Sequence, residues 1–186
     1  MRDQIRRNRK TLPDNVHISM DEWNVWYAWY RSSNVTDAIF AALTLHMLMC
    51  EAETADIAQA CHFEAVNEGL IEVLPYSSRL TAQGEVFRLM SGHAGGRLCY
   101  ESMEALATKH DEHIYLTAVN PSFSETRTLL IDRQTAGEIL KAEIYTSEKV
   151  IPHSNFSVSN VKAETLKDQF LLKMPAHSVA SIWFRH

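Results

Sequence analysis

The apolar residues of this chain change their spacing once, and the change falls at the glycine-rich segment Gly92-His93-Ala94-Gly95-Gly96. Before it, strand-like and helix-like patterns alternate. After it, only short strand-like runs occur. Val16, Ile18 and Met20 alternate with His17, Ser19 and Asp21, the period-two pattern of a strand. Arg31-Ser32-Ser33-Asn34 reads as a loop, and Thr36 is placed to cap a helix over 37–53. That helix is apolar almost all round, with Ile39, Phe40, Leu43, Met47 and Leu48 on different faces, so it needs neighbours on more than one side. Residues 57–63 read as a second short strand, rich in small side chains. A loop with Asn67, Gly69 and Pro75 follows, and Thr81 caps a helix ending near Ser91. Strand–helix–strand–helix is the order of a parallel sheet.

From Arg97 the strand candidates are 98–101, 113–119, 126–131, 139–146, 156–161, 170–174 and 179–184. Turn chemistry separates them, as in Lys109-His110-Asp111-Glu112 and Met174-Pro175-Ala176-His177. Short strands with a turn about every 8 to 12 residues predict an antiparallel β-sandwich. The fold class expected is therefore α/β plus all-β, divided into residues 1–95 and 96–186, which a chain of 186 residues can accommodate.

Charge and cysteine usage narrow the function classes. A net charge of −5 argues against a nucleic-acid partner, because little here would neutralise a phosphate backbone. Arg2, Arg6, Arg7, Arg9 and Lys10 crowd the start, and read as the solvated face of a short helix that Pro13 ends. The three cysteines, Cys50, Cys61 and Cys99, have no metal-like spacing and read as buried and reduced, which with no visible signal peptide implies a cytoplasmic protein. No apolar stretch is long enough to span a membrane. His110-Asp111-Glu112-His113 has metal-ligating residue types but falls where a hairpin turn is expected. No phosphate loop, nucleophile elbow or zinc motif occurs, and no cofactor is implied.

The chemistry concentrates where the first strand ends. Alternation stops at Asp21-Glu22, and Trp23, Trp26 and Trp29 follow within seven residues. In α/β proteins the carboxyl ends of strands form the binding crevice. A carboxylate can stabilise a developing oxocarbenium centre there, while an indole face packs on a sugar's C–H surface. The plain alternative is a strand-end acidic pair beside aromatic core residues.

Ile18-Ser19-Met20 followed by Asp21-Glu22-Trp23-Asn24-Val25-Trp26 resembles the nucleophile segment of the α-L-arabinofuranosidases of glycoside hydrolase family 51. Weaker likenesses are Val66-Asn67, Ala118-Val119-Asn120 and Pro175-Ala176-His177-Ser178-Val179, which resemble the family's eighth-strand end and two points of its C-terminal β-sandwich. The resemblance implies a partial (β/α)8 barrel, the last two βα units, followed by the antiparallel β-sandwich. It gives Glu22 the role of nucleophile and places Trp26 in the sugar pocket. Glu64 falls where the family usually carries a glutamine that reaches the sugar, which puts arabinofuranose specificity in question. Asn67-Glu68 lacks the preceding glycine of the family's acid/base motif, and Glu68 reads as a loop acid.

By this resemblance the substrate is an arabinose-containing oligosaccharide or polysaccharide, cleaved with retention at a terminal α-L-arabinofuranosyl residue. The acid/base glutamate belongs to an earlier barrel strand, so the 186 residues alone are expected to be inactive. The competing expectation is a catalytically inactive remnant serving structure, assembly or carbohydrate binding. Uncovered sheet edges and the apolar helix predict self-association.

Overall fold

The computed structural model describes residues 1–25 and 32–186. Helix α1 (Arg2–Arg9) leads to strand β1 (Ile18–Trp23), helix α2 (Val35–Glu51) and strand β2 (Ile57–His62). β1 and β2 pair in parallel, with Ile18 opposite Ile57, Met20 opposite Ala60 and Trp23 opposite His62. The expected strand–helix–strand unit is thus present, with α2 as its crossover. α2 starts at a different cap from the one the sequence suggested. Asn34 Oδ1 accepts the N–H groups of Thr36 (2.8 Å) and Asp37 (3.3 Å), and the Asp37 carboxylate accepts the Asn34 N–H at 3.0 Å. This reciprocal box satisfies three backbone donors, which a Thr36 cap would leave for others.

The basic start of the chain is not a simple solvated face. Glu51, at the last turn of α2 and 0% exposed, accepts Arg6 Nε at 2.7 Å and Nη2 at 2.8 Å and pairs with Arg2 as well. Ile5 is buried beside them. A carboxylate sealed at that depth needs cations, and α1 supplies two.

Where a loop was expected after β2, strands β3 (Ile71–Leu74) and β4 (Ser77–Leu80) form a hairpin, tied across by Arg79 to Glu72 at 2.5 Å. Four-residue strands carry too little alternation to announce themselves. Helix α3 (Ala82–Met90) begins at Thr81 as expected, its hydroxyl accepting the Gly84 N–H at 3.2 Å, and a single 3-10 turn (Ser91–His93) follows.

The rest of the chain is strand apart from one short helical turn. β5 (Arg97–Glu101), β6 (Ala105–His110), β7 (His113–Asn120), β8 (Arg127–Asp132), the turn α4 (Arg133–Ala136), β9 (Glu138–Thr146), β10 (Ser157–Asn160), β11 (Glu164–Leu166), β12 (Gln169–Met174) and β13 (Ser178–Arg185) follow in order. All pair antiparallel, in a six-stranded sheet β10-β9-β13-β7-β6-β5 and a three-stranded sheet β11-β12-β8. Leu116, Ala180 and Phe184 of the first sheet share a core with Ile131, Phe170 and Leu172 of the second. Asp111 and Glu112 form the expected turn between β6 and β7, with Asp111 at φ 49°. No group of three His, Cys, Asp or Glu side chains among the described residues is placed to hold a metal. β6 and β11 were not legible in the sequence: Ala105-Leu106-Ala107 has no alternation, and β11 is three residues long.

The opposite face of the six-stranded sheet is covered by α2 and α3. Val119, Tyr145 and Val179, adjacent on β7, β9 and β13, pack with Ala38, Met47, Val86 and Leu89 in one core. The sheet therefore lies between the helices and the smaller sheet. Cys50 is buried, but Cys61 and Cys99 are exposed, contrary to expectation, because both lie on strands with an open face. No described helix is long and apolar enough to cross a membrane.

Candidate active site at the carboxyl ends of the parallel strands

β1 does not reach its end as a regular strand. Between Met20 and Trp23 it spends three steps while β2 spends two, from Ala60 to His62, so one extra residue is inserted at Asp21-Glu22. A bulge turns a side chain out of the alternation. Asp21 and Glu22 are consequently both exposed, while Trp23 turns inward and is buried. Asp21 bonds to the Ser19 hydroxyl, which accepts Gln59 Nε2 at 2.8 Å, so this carboxylate is committed to the strand's own surface. Glu22 is the one left at the rim.

Trp23 anchors that end. Its indole stacks on Phe87 of α3 at 5.8 Å and meets the His62 ring edge-on at 5.0 Å, and His62 in turn meets Phe87 at 5.0 Å. Asn24 fastens the next residue: its Oδ1 accepts the Val25 N–H at 2.7 Å and Gln83 Nε2 of α3 at 2.8 Å. Trp26 lies outside the described residues. Glu64 is exposed two residues beyond the end of β2, joined through a cis Phe63–Glu64 peptide. Because β1 and β2 are parallel neighbours, Glu22 and Glu64 stand at the same end of the pair.

Several buried polar atoms at this end have no hydrogen-bond partner among the described residues: Trp23 Nε1, Asn24 Nδ2, Gln83 Oε1 and both ring nitrogens of His62. Burial pushes the His62 pKa down to about 4, so its imidazole is neutral at pH 7, one nitrogen a donor and the other an acceptor. Unpaired buried polar groups are rare in folded proteins and collect where a ligand or ordered water completes them. This set mixes donors and acceptors, which suits hydroxyl groups rather than a charged ligand.

Two residues of the site were not found from sequence. Gly69 lets the chain return over His62: a Cβ there would overlap the Glu64 carbonyl oxygen and lie 2.6 Å from His62 Cε1. Gln83 is buried, and only its partner Asn24 explains it. Asn67-Glu68, weighed as a possible acid/base pair, is structural on its asparagine side. Asn67 sits at φ 62°, its N–H donates to Ile71 O at 2.7 Å, and its Oδ1 accepts the Val73 N–H at 2.7 Å.

A serine–histidine–carboxylate set appears that spacing did not reveal. Ser32 Oγ is 2.9 Å from His153 Nε2, and His153 Nδ1 is 3.5 Å from Glu72 Oε1. Glu72 is committed to Arg79, which holds its carboxyl below the usual range. At 3.5 Å the carboxylate is a weak orienter for the imidazole. The set joins the residues before α2 and the β3–β4 hairpin to the segment before β10. Grooves of about 910 and 510 Å³ open at the margins of the two facing sheets, and neither is lined by Glu22 or Glu64.

The α-L-arabinofuranosidase of Thermotoga maritima, solved as an arabinose complex, superposes with a TM-score of 0.76 at 16% identity, over 100% of this chain and 47% of that one. The fold is shared with part of the family 51 α-L-arabinofuranosidases. Those of Thermotoga petrophila (TM-score 0.76, 19% identity, 99% of this chain and 47% of that one) and Bifidobacterium longum (0.74, 16%, 97% and 44%) agree. A family 30 xylanase of Clostridium acetobutylicum is less similar, with a TM-score of 0.61 at 13% identity over 91% of this chain and 43% of that one. The chain spans less than half the length of each of these neighbours. No family model and no curated protein matches the sequence. At these identities the likeness is one of fold alone, mostly sheet with few helices.

Proposed function

We propose that this chain carries the nucleophile half of a retaining α-L-arabinofuranosidase site. Residues 1–95 form the last two βα units of a (β/α)8 barrel, and residues 96–186 the β-sandwich that follows it. Glu22 attacks the anomeric carbon and forms the glycosyl–enzyme bond. Trp26 shapes the sugar pocket, and Glu64 accepts a hydrogen bond from a sugar hydroxyl in place of glutamine. A retaining glycosidase needs a second carboxyl group about 5 to 5.5 Å from the first to protonate the leaving oxygen. In this reading that group comes from chain beyond these 186 residues.

The observation that carries the reading is the bulge that ends β1. It leaves Asp21 and Glu22 both exposed, Asp21 bonded back to Ser19 and Glu22 at the rim, at the strand end where buried donors and acceptors lack partners among the described residues. A strand-end pair serving only the core would have no reason to be unequal in this way. The substrate is an oligosaccharide or polysaccharide with terminal arabinofuranosyl groups.

The test uses an arabinofuranoside whose leaving group, a dinitrophenolate, departs without a proton donor. The 186-residue chain is expected to acquire one arabinosyl adduct, located at Glu22 by peptide mass, and to leave unactivated arabinofuranosides intact. No adduct, or an adduct that persists in Glu22→Ala, overturns the proposal.

A further inference from the structure

Between the helices and the six-stranded sheet runs an unbroken line of side chains that the site does not use, four of them buried and the fifth, His110, half-buried at its end. His110 Nε2 lies 3.0 Å from Thr108 Oγ1, and Thr108 Oγ1 lies 2.9 Å from His93 Nδ1. His93 Nε2 is 2.8 Å from Thr117 Oγ1, which is 2.8 Å from His46 Nε2. His46 Nδ1 ends the line 3.2 Å from the Met103 carbonyl. His46 and Thr117 are 0% exposed, and His93 and Thr108 are 5% exposed. His46 comes from α2, His93 from the 3-10 turn after α3, and the threonines from β6 and β7, so every bond between them joins the helices to the sheet.

The carbonyl at one end sets the direction of every proton. Met103 O only accepts, so His46 carries its hydrogen on Nδ1 and leaves Nε2 as an acceptor. The Thr117 hydroxyl therefore donates to His46 and accepts from His93 Nε2–H. His93 then has a bare Nδ1, which takes the Thr108 hydroxyl hydrogen, and Thr108 accepts from His110 Nε2–H. With three neutral imidazoles each donor meets one acceptor.

We propose that this histidine–threonine line is an acid-sensitive latch holding the helices on the sheet. A proton added at His46 Nε2 points a donor at Thr117, which already accepts from His93. The Thr117 hydrogen is left only Met90 Sδ at 3.6 Å, a weak acceptor. A proton added at His93 Nδ1 displaces the Thr108 hydrogen from its only acceptor in the line. The groups facing the line do nothing to welcome charge. Tyr115 of β7 lies 4.8 Å from the His93 ring, and its hydroxyl donates to Leu89 O. The His110 ring faces Trp183 of β13 at 5.8 Å, and Cys50, one turn along α2 from His46, is itself pushed up to about 11. Among the described residues no carboxylate bonds to any of the three imidazoles. Burial accordingly holds His46 down at about 4 and His93 at about 3, the latter lowered further by His46 and His110. Gly96 fits the same purpose: a Cβ there would overlap His110 Nε2 and lie 2.8 Å from Thr108 Cβ, so only glycine lets this segment lie flat on β6.

The experiment is nitrogen NMR of the histidines in the 186-residue chain, with urea unfolding from pH 7.5 to 5. The expected tautomers at pH 7.5 are Nδ1–H for His46 and Nε2–H for His93 and His110. Between pH 6 and 5 the two buried histidines together raise the unfolding constant about 50-fold. The double variant His46→Gln, His93→Gln is expected to lose that part of the slope, even where it is less stable at pH 7.5. The opposite tautomer at His46 or His93, or a double variant with the wild-type slope, overturns the latch. The tautomers are read on the unaltered chain, so the result stands if the double variant fails to fold.

Discussion

Glu51 and Gly69 illustrate how much a single side chain, or its absence, decides here. Glu51 is sealed at the end of α2 and held below the usual carboxylate range, first by hydrogen bonds from Arg6 and then by Arg2. Its folded pKa is depressed, so the stability it lends is present above the unfolded value of 4.5 and is lost as pH falls below it. Glu51→Gln is expected to cost about 2 kcal/mol at pH 7 in urea unfolding and to expose the α1 amides to hydrogen exchange. At Gly69 a methyl group must displace backbone at Glu64 or the His62 ring. Gly69→Ala is expected to lower stability by about 2 kcal/mol and to quench less of the Trp23 fluorescence, through loss of its edge contact with His62. Neither residue stood out in the sequence. A lone glutamate in an apolar helix and a glycine in a loop acquire meaning only from what lies opposite them. Asp21-Glu22-Trp23 did stand out, because a motif is a local pattern, legible even where β1 bulges out of register with β2.

Helix boundaries follow from local hydrogen bonding, and at α2 the competition is between two candidate caps two residues apart. Asn34 wins because Asp37 reaches back to close the box. Asn34→Ala is expected to cost about 1 kcal/mol, read as a lower urea midpoint with an unchanged slope, and Thr36→Ala much less. α2 was legible because an apolar run of more than four turns, opened by capping residues, is too long for a strand. The β3–β4 hairpin, β6 and β11 were not, since strands of three to six residues without alternation are made by their partners. β6 pairs with both β5 and β7, and its small residues Ala105 and Ala107 are what the facing core admits.

At the scale of the molecule, acid is the main lever. His46 and His93 are depressed to about 4 and about 3 by burial. Histidines that fold in the neutral state must shed protons they hold when unfolded, so the stability they contribute is complete above about pH 6.5 and falls as pH drops towards the folded values. Each is expected to remove about 2 kcal/mol between pH 7.5 and 5, a large share of the roughly 5–15 kcal/mol of an ordinary domain. Thermal unfolding monitored at those two pH values checks this. The loss should begin well above the pH at which the carboxylates titrate. Phe40 on α2 and Val158 on the edge strand β10 remain exposed, and sedimentation at rising concentration is expected to show self-association.

The amino-acid sequence alone determined the opening strand–helix–strand unit, the turn at Asp111-Glu112, the cap at Thr81, and the meeting of a carboxylate pair with indoles where β1 ends. Each is set by residues within a few positions of one another, through backbone hydrogen bonding and the period of the apolar side chains. Only the tertiary structure decided that β1 bulges against β2 at Asp21-Glu22, that Arg2 and Arg6 serve Glu51, and that three histidines from three elements form one line. Those outcomes depend on contacts between residues tens of positions apart, whose distance is fixed by how sheets and helices pack and is written in no local pattern.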